Sequence, residues 1–366
     1  MKIIQFEWKK LWRLKVYPVF LLVTLLFVSS LFFYNYLMQD QITTKKVEHF
    51  TRLRQDISQQ IFMLEDQLQT KADPVLEAQL SMAEELSNGL QELISSIYAN
   101  LWREELQNEI TVYETALRYI EFENAYFGVS KMDMQNIIRL NEELLKRNLP
   151  KEDLDLSIQP ATFIKKIVSI IMTPIGFILL AFVLGIVVTK ELDEYSIRQV
   201  FILPISRGYY VTGKYISLFI ASIPWLFTVF GSAYLLGVLF GRNEGDIFNY
   251  PLYTKLNTFI TTGEYLIQSI VYSLCFIAFL LSILLLSAYV FKNTIITYSF
   301  LLIFLAGGWI LSNYGLHVVW NPFTFQMVDR VIIDSPSFYP AGTIVLLVAG
   351  IISSFAAMTI IRKRGM

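Results

Sequence analysis

The run most suggestive of chemistry is Gly208-Tyr-Tyr-Val-Thr-Gly213-Lys214-Tyr215, which fits the first seven positions of a phosphate-binding P-loop. In that motif a glycine-rich loop follows a buried strand, its backbone N–H groups cradle phosphates, and a Ser or Thr at the eighth position holds Mg²⁺. Here Tyr215 takes the eighth position at the start of an apolar run. The chain is therefore not expected to hydrolyse ATP itself. Cys275 is the single cysteine and lies inside an apolar run, which excludes an intrachain disulfide framework and a multi-cysteine metal site. His49 and His317 are too few for a histidine metal cluster. No Ser/His/Asp or Cys/His set is available, and the acidic residues between 40 and 162 are expected on solvated helix faces. The expectation is no catalytic residue, no metal and no cofactor in this chain.

The elements that would hold any functional group are those of an all-α membrane protein. Of 366 residues, 54% are hydrophobic and 15% aromatic against 17% charged, outside the usage of soluble domains. Apolar runs long enough to cross a hydrocarbon core of about 30 Å fall at 17–38, 164–189, 211–240, 265–291, 294–313 and 342–361, which predicts six transmembrane helices. None carries a central Asp, Glu, His, Lys or Arg; Glu264 and Lys292 only flank the fourth. Ion-coupled transporters use such groups within the bilayer, so a proton- or sodium-driven machine is disfavoured and energy must come from elsewhere.

Cytoplasmic loops retain Lys and Arg. With the N-terminus inside, thirteen fall in inner segments and only Arg242, Lys255 and Arg330 in short outer loops, with Lys165 and Lys166 at the outer mouth of the second span as an exception. The expected location is a bacterial plasma membrane with both termini cytoplasmic. Residues 1–16 predict a cytoplasmic interfacial helix with Ile4, Trp8, Leu11 and Trp12 on one arc, Trp8 and Trp12 serving as anchors. Run 17–38 reads as an uncleaved signal anchor, since Gln39-Asp40-Gln41 follows it without a small-residue cleavage site.

Residues 39–162 form the second organisational unit, and from 40 onward they carry 22 Asp and Glu against 12 Lys and Arg. Phe50, Leu53, Ile57, Ile61, Leu64 and Leu68 keep spacings of three and four, as do Leu76 through Leu101 and then Leu106, Ile110, Tyr113, Leu117 and Ile120. Asp73-Pro74 predicts a helix start, Gly128 a helix end, and Ser130 with Asp133 a capping box. The result expected is an extracytoplasmic, coiled-coil-like bundle of three or four long helices between the first two spans. Pro150 and Pro160 bracket the return linker to the remaining five spans, 163–366.

The segment 190–210 lies on the cytoplasmic side in this topology and mixes charged with apolar residues. It contains Glu191, Ser196-Ile197-Arg198, Phe201 and Pro204-Ile205-Ser206-Arg207, followed by Lys214 in the next span. Ile197, Val200 and Phe201 can dock a short helix on a partner, and in Glu191, Ser196-Ile197-Arg198, Pro204-Ile205-Ser206-Arg207 and Lys214 the chain resembles the type 2 ABC transporter permease family, departing at Tyr195, where that family usually has Gly. The resemblance extends to six spans, the interfacial helix, and an extracellular loop with broken helices at 313–341; it does not cover 40–162. It implies a half-transporter. Two permeases pair, as copies or homologues, and each binds a separate cytoplasmic ATPase that holds ATP and Mg²⁺. The helix after Glu191 transmits its movement, and Glu191, Ser196, Ile197, Arg198, Phe201, Pro204, Ser206, Arg207 and Lys214 are the implied coupling residues.

Pro174 and Pro224 are expected to kink the second and third spans at mid-membrane. Ala349, Ser353 and Ala357, and likewise Gly350 and Ser354, offer small faces for close helix contact. The expected partners are ABC ATPase subunits, a second permease, membrane lipid and a hydrophobic or amphipathic substrate such as a peptide, lipid or drug, with no nucleic acid. Two other functions fit the pattern: a mechanotransmitter that moves the outer bundle, and a sensing or immunity subunit that captures a cationic antimicrobial peptide on the acidic segment.

Overall fold

The computed structural model describes residues 2–70, 73–122, 125–194, 206–241, 246–255, 258–314 and 320–363. The fold is all-α, with a two-stranded sheet of β1, Pro251–Tyr253, and β2, Phe259–Thr261. Contacts divide the chain into two compact units, Met1–Phe33 with Gln159–Arg242 and Leu252–Met366, and Tyr34–Ile158 with Asn243–Pro251.

In the first unit α1, Lys2–Arg13, joins α2, Val16–Leu37, through a turn in which Lys15 takes a left-handed φ of 56°. Then come α7, Pro160–Ile171, α8, Pro174–Asp193, α9, Arg207–Phe240, α10, Thr262–Phe291, α11, Thr294–Asn313, and α12, Phe338–Lys363. Six helices, α2 and α8 to α12, have the length and apolarity to span a bilayer. Interiors differ: 61% of the most apolar stretch is buried in α8 and in α10 but 22% in α2 and in α11, so α8 and α10 form the centre. Phe177 of α8 meets Trp225 of α9 and Phe276 of α10 there, with ring centroids 6.5 and 4.5 Å away.

The expected second span, 164–189, is broken. Pro174 has no N–H for the carbonyl of Ile170 and biases the preceding residue toward extended backbone; Thr173 sits at φ −120°, ψ 171° and Pro174 opens α8. Pro174 is thus a helix start and not a kink within a span. Gly176 permits the close approach of the chain at this break, because a Cβ there would fall 1.9 Å from the Ile171 carbonyl oxygen. Pro224, by contrast, lies inside a continuous α9. Next to the carbonyl of Ile220, which Pro224 cannot bond, the Ala221 carbonyl accepts the Tyr17 hydroxyl at 2.6 Å.

Broken helical turns fill the loop before α12, a 3₁₀ turn at Pro322–Phe325 and a π turn at Arg330–Asp334. The Gln326 amide donates to the Leu305 carbonyl at 2.6 Å, and the Tyr272 hydroxyl to the Phe325 carbonyl at 2.8 Å. Lys165, the exception to the charge asymmetry, lies 3.7 Å from Asp329, which also accepts the Tyr265 hydroxyl at 2.7 Å. Burial raises the Asp329 carboxyl, with Lys165 opposing. Small residues of α12 pack on α10: Gly350 faces the Phe279 backbone, and the Ser354 and Ser282 hydroxyls bond at 2.9 Å.

The second unit is built of α3, Gln39–Thr70, α4, Pro74–Tyr98, α5, Trp102–Tyr119, and α6, Lys131–Arg147. Asp73 caps α4 by accepting from the Val75 amide, and Ser130 caps α6 by accepting from the Asp133 amide. The core contains Phe50, Leu53, Ile57 and Leu64 against Leu86, Leu90, Leu93, Val112, Tyr113, Ala116 and Met134. Three expectations are corrected. Asn100 turns left-handed after α4, so Leu101 is 46% exposed and does not continue that helix. The helix before Gly128 ends at Tyr119, nine residues earlier. Glu109 is buried rather than solvated, with Lys151 at 2.7 Å and Asn141 at 2.8 Å, the two partners that make burial of a carboxylate tolerable.

Gly308 of α11 lies against the 3₁₀ turn, where an added Cβ would come 2.2 Å from the Phe323 carbonyl oxygen. Gly308→Ala should lower unfolding stability by about 1–3 kcal/mol through overpacking. Gly307→Ala, with nothing within 4 Å of the new Cβ, should leave stability unchanged or raise it by up to about 1 kcal/mol of helix propensity; thermal unfolding in one detergent compares them.

Candidate functional site

Charged side chains withdrawn from water at one end of the first unit mark the candidate site. α1 turns one stripe inward, Ile3, Glu7 and Leu11, at the four-residue spacing of a helix face. Ile3 packs where Gly213 lacks a side chain, with a Cβ there 3.1 Å away. This close approach brings Glu7 to α9.

Four ionisable groups from three helices meet there. Glu191, near the end of α8, accepts from the Lys10 ammonium at 2.5 Å on one oxygen. Its other oxygen accepts from the Lys214 ammonium and, at 2.6 Å, from the Tyr210 hydroxyl. Lys214 also donates to the Tyr210 hydroxyl at 3.1 Å and lies 3.7 Å from Glu7. The side chain of Lys214 is 1% exposed and those of Glu7 and Glu191 are 2% and 8%. Two carboxylates and two ammonium groups balance, which is the condition for burying them together. The two acids are not equivalent. Glu191 has a partner on both oxygens, whereas Oε2 of Glu7 has no hydrogen-bond partner among the described residues. Burial accordingly pushes the Glu7 carboxyl up from its ordinary range, with the Lys214 ammonium acting in the opposite sense.

Other ties converge on the same end. Ser206 caps α9 by accepting from the Tyr209 amide at 3.3 Å. Arg207 follows and donates to the Ile361 carbonyl at 3.3 Å, in the last turn of α12. Asp193 accepts from the amide and hydroxyl of Thr294, joining the end of α8 to the start of α11.

Of the residues implied in coupling, Glu191 and Lys214 are therefore brought together, and Ser206 and Arg207, the cap and first residue of α9, lie about two turns before Lys214. Ser196, Ile197, Arg198, Phe201 and Pro204 lie outside the described residues, as does Tyr195. The Gly208–Tyr215 run is helical throughout, its lysine bonded to Glu191. Trp8 is half-buried and Trp12 is 44% exposed, with Trp12 edge-on to Tyr17 at 5.8 Å. Glu7, Lys10 and Tyr210 were missed as site residues. The available signal was Glu7 itself, a carboxylate in the middle of an apolar i, i+4, i+8 stripe.

Among the described residues no group of three or more His, Cys, Asp or Glu is placed to hold a metal ion. A cleft of about 280 Å³ opens where α7 gives way to α8, its mixed lining including Met172, Met327 and Val328 beside Thr173, Asp329 and Arg330.

Six bilayer-length helices and a buried ion cluster at their ends define a multi-pass membrane protein whose titratable groups hold helices together. A family model described as ABC-2 family transporter protein matches residues 1–359, and the chain belongs to that family. It is thus a membrane subunit of an ABC transporter, a membership that implies an ABC ATPase partner. Neither the curated proteins nor the solved structures compared with the chain gave a match.

Removing one member of a buried ion pair costs about 3–5 kcal/mol, so Glu191→Gln should destabilise the protein by that order. The raised Glu7 carboxyl gives the opposite sign. The folded state holds this proton more tightly than the unfolded chain, so its contribution is full below about pH 4.3 and is lost as pH rises through the folded value. Glu7→Gln should flatten that decline and be far milder than Glu191→Gln. Unfolding temperatures of both variants, followed upward from about pH 4, test the asymmetry; equal losses would contradict it.

Proposed function

We propose that this chain is the permease subunit of an ATP-driven exporter in a bacterial plasma membrane, with both termini cytoplasmic and the second unit outside. It pairs with a second permease, binds a separate cytoplasmic ATPase, and moves a hydrophobic or amphipathic substrate; it is not itself an enzyme. The observation that carries the coupling role is the position of the buried ion cluster. Glu191 and Lys214 flank the segment 195–205 in sequence, and Glu191 also engages Lys10 of α1. A push on that segment by a nucleotide-driven partner is delivered to α1, α8 and α9 at once, and through Arg207 and Asp193 to α12 and α11. Coupling residues in this scheme align helix ends, while contact with the ATPase falls to the residues between them. Uncharged span interiors favour an apolar cargo over an inorganic ion.

Arg207→Ala removes the tie to α12. In the assembled complex it should depress substrate-stimulated ATP hydrolysis several-fold while membrane insertion and partner binding persist. Turnover equal to wild type would remove Arg207 from the coupling path.

The second unit favours one other reading, a mechanotransmitter or peptide-sensing subunit, because it has a hydrophobic core of its own. Deleting 45–155 separates the two: an exporter retains transport of its cargo, whereas loss of envelope regulation or peptide protection with transport intact indicates the alternative.

A further inference from the structure

We propose that α1 and α9 form a binding site for one anionic phospholipid, its headgroup on α1 and an acyl chain along α9. This inference is independent of the coupling role.

The site begins with charge. α1 and its following turn carry Lys9, Lys10, Arg13 and Lys15. Lys10 is committed to Glu191, but the side chains of Lys9, Arg13 and Lys15 have no hydrogen-bond or ion-pair partner among the described residues. Lys9 and Arg13 are exposed and about 40° apart around the helix, opposite the stripe of Ile3, Glu7 and Leu11. Phe6, 63% exposed, and Trp12 share that outer side. Cations interleaved with exposed aromatics suit the headgroup layer of an anionic leaflet.

The groove supplies the second observation. A depression of about 390 Å³ is lined by Ile4, Gln5, Trp8 and Lys9 of α1 and by Ile220 of α9. Lys9 and Gln5 contribute its polar groups, and its apolar part comes from Ile4, Trp8 and Ile220. The last of these belongs to an exposed stripe of α9, Ile216, Ile220, Ile223 and Phe227, spaced by three and four. A molecule with an anionic head and a long apolar tail matches the cations of α1 and the apolar stripe of α9 at once. A free phosphate matches only the cations.

The test uses the full chain exchanged into mixed micelles containing equal amounts of phosphatidylglycerol and phosphatidylcholine, with retained lipid read by native mass spectrometry. Wild type should retain phosphatidylglycerol in preference. Lys9→Gln and Arg13→Gln should each reduce that preference about five-fold, and Ile220→Trp should reduce it with every charge intact. Lys131→Gln, in the second unit, should not change it. Equal retention of the two lipids by wild type, or equal effects of Lys131→Gln and Lys9→Gln, would overturn the site. Displacement of phosphatidylglycerol by glycerol 3-phosphate would show that the anion alone binds and overturn the acyl-chain groove.

Discussion

A carboxylate and an ammonium taken out of water together are tolerable only while both remain, because either alone keeps the whole cost of desolvation. Glu191 and Lys214 are in that position, and their mutual dependence fixes the spacing of α8 and α9 at the ends that border residues 195–205. Lys10 and Glu7 extend the constraint to α1, so that a helix whose outer face suits a membrane surface is anchored by its inner face to the transport unit. The neighbouring contacts make sense as accessories to this cluster. Gly213 admits Ile3 close enough for Glu7 to reach, and Tyr210 supplies the hydroxyl that completes the second oxygen of Glu191.

Much of this architecture was legible in the sequence, for a physical reason. A bilayer excludes unsatisfied backbone, so apolar length alone locates spanning helices, and five of the six runs match single helices closely. The run 164–189 misled because hydropathy is blind to the missing N–H of Pro174 and to Gly176. The cluster was half legible. Lys214 and Glu191 stood out by family resemblance, while Glu7 and Lys10 look like ordinary interfacial charges until α1 is docked. Periodicity gives the direction of a face but not its partner.

The second unit repeats the lesson in another setting. Leu86, Leu90, Ile94 and Ile97 follow the apolar spacing and are buried as it implies. Glu109 does not advertise itself, being one acidic residue among many in an acidic segment. Its burial depends on Lys151 and Asn141, 42 and 32 residues further along the chain, beyond the reach of any local pattern. Arg147 adds a similar distant tie, donating to the Asn249 carbonyl at 2.8 Å, which accounts for the inclusion of Asn243–Pro251 in this unit.

The turn between α10 and α11 is only Lys292 and Asn293, with Lys292 left-handed at φ 54° and the Asn293 side chain capping α11 through the Ile296 amide. So short a hinge has no slack to absorb axial sliding. Axial displacement of α10 against α11 would have to break the Asn293 cap or the left-handed Lys292 turn, so the connection favours movement of the two helices together.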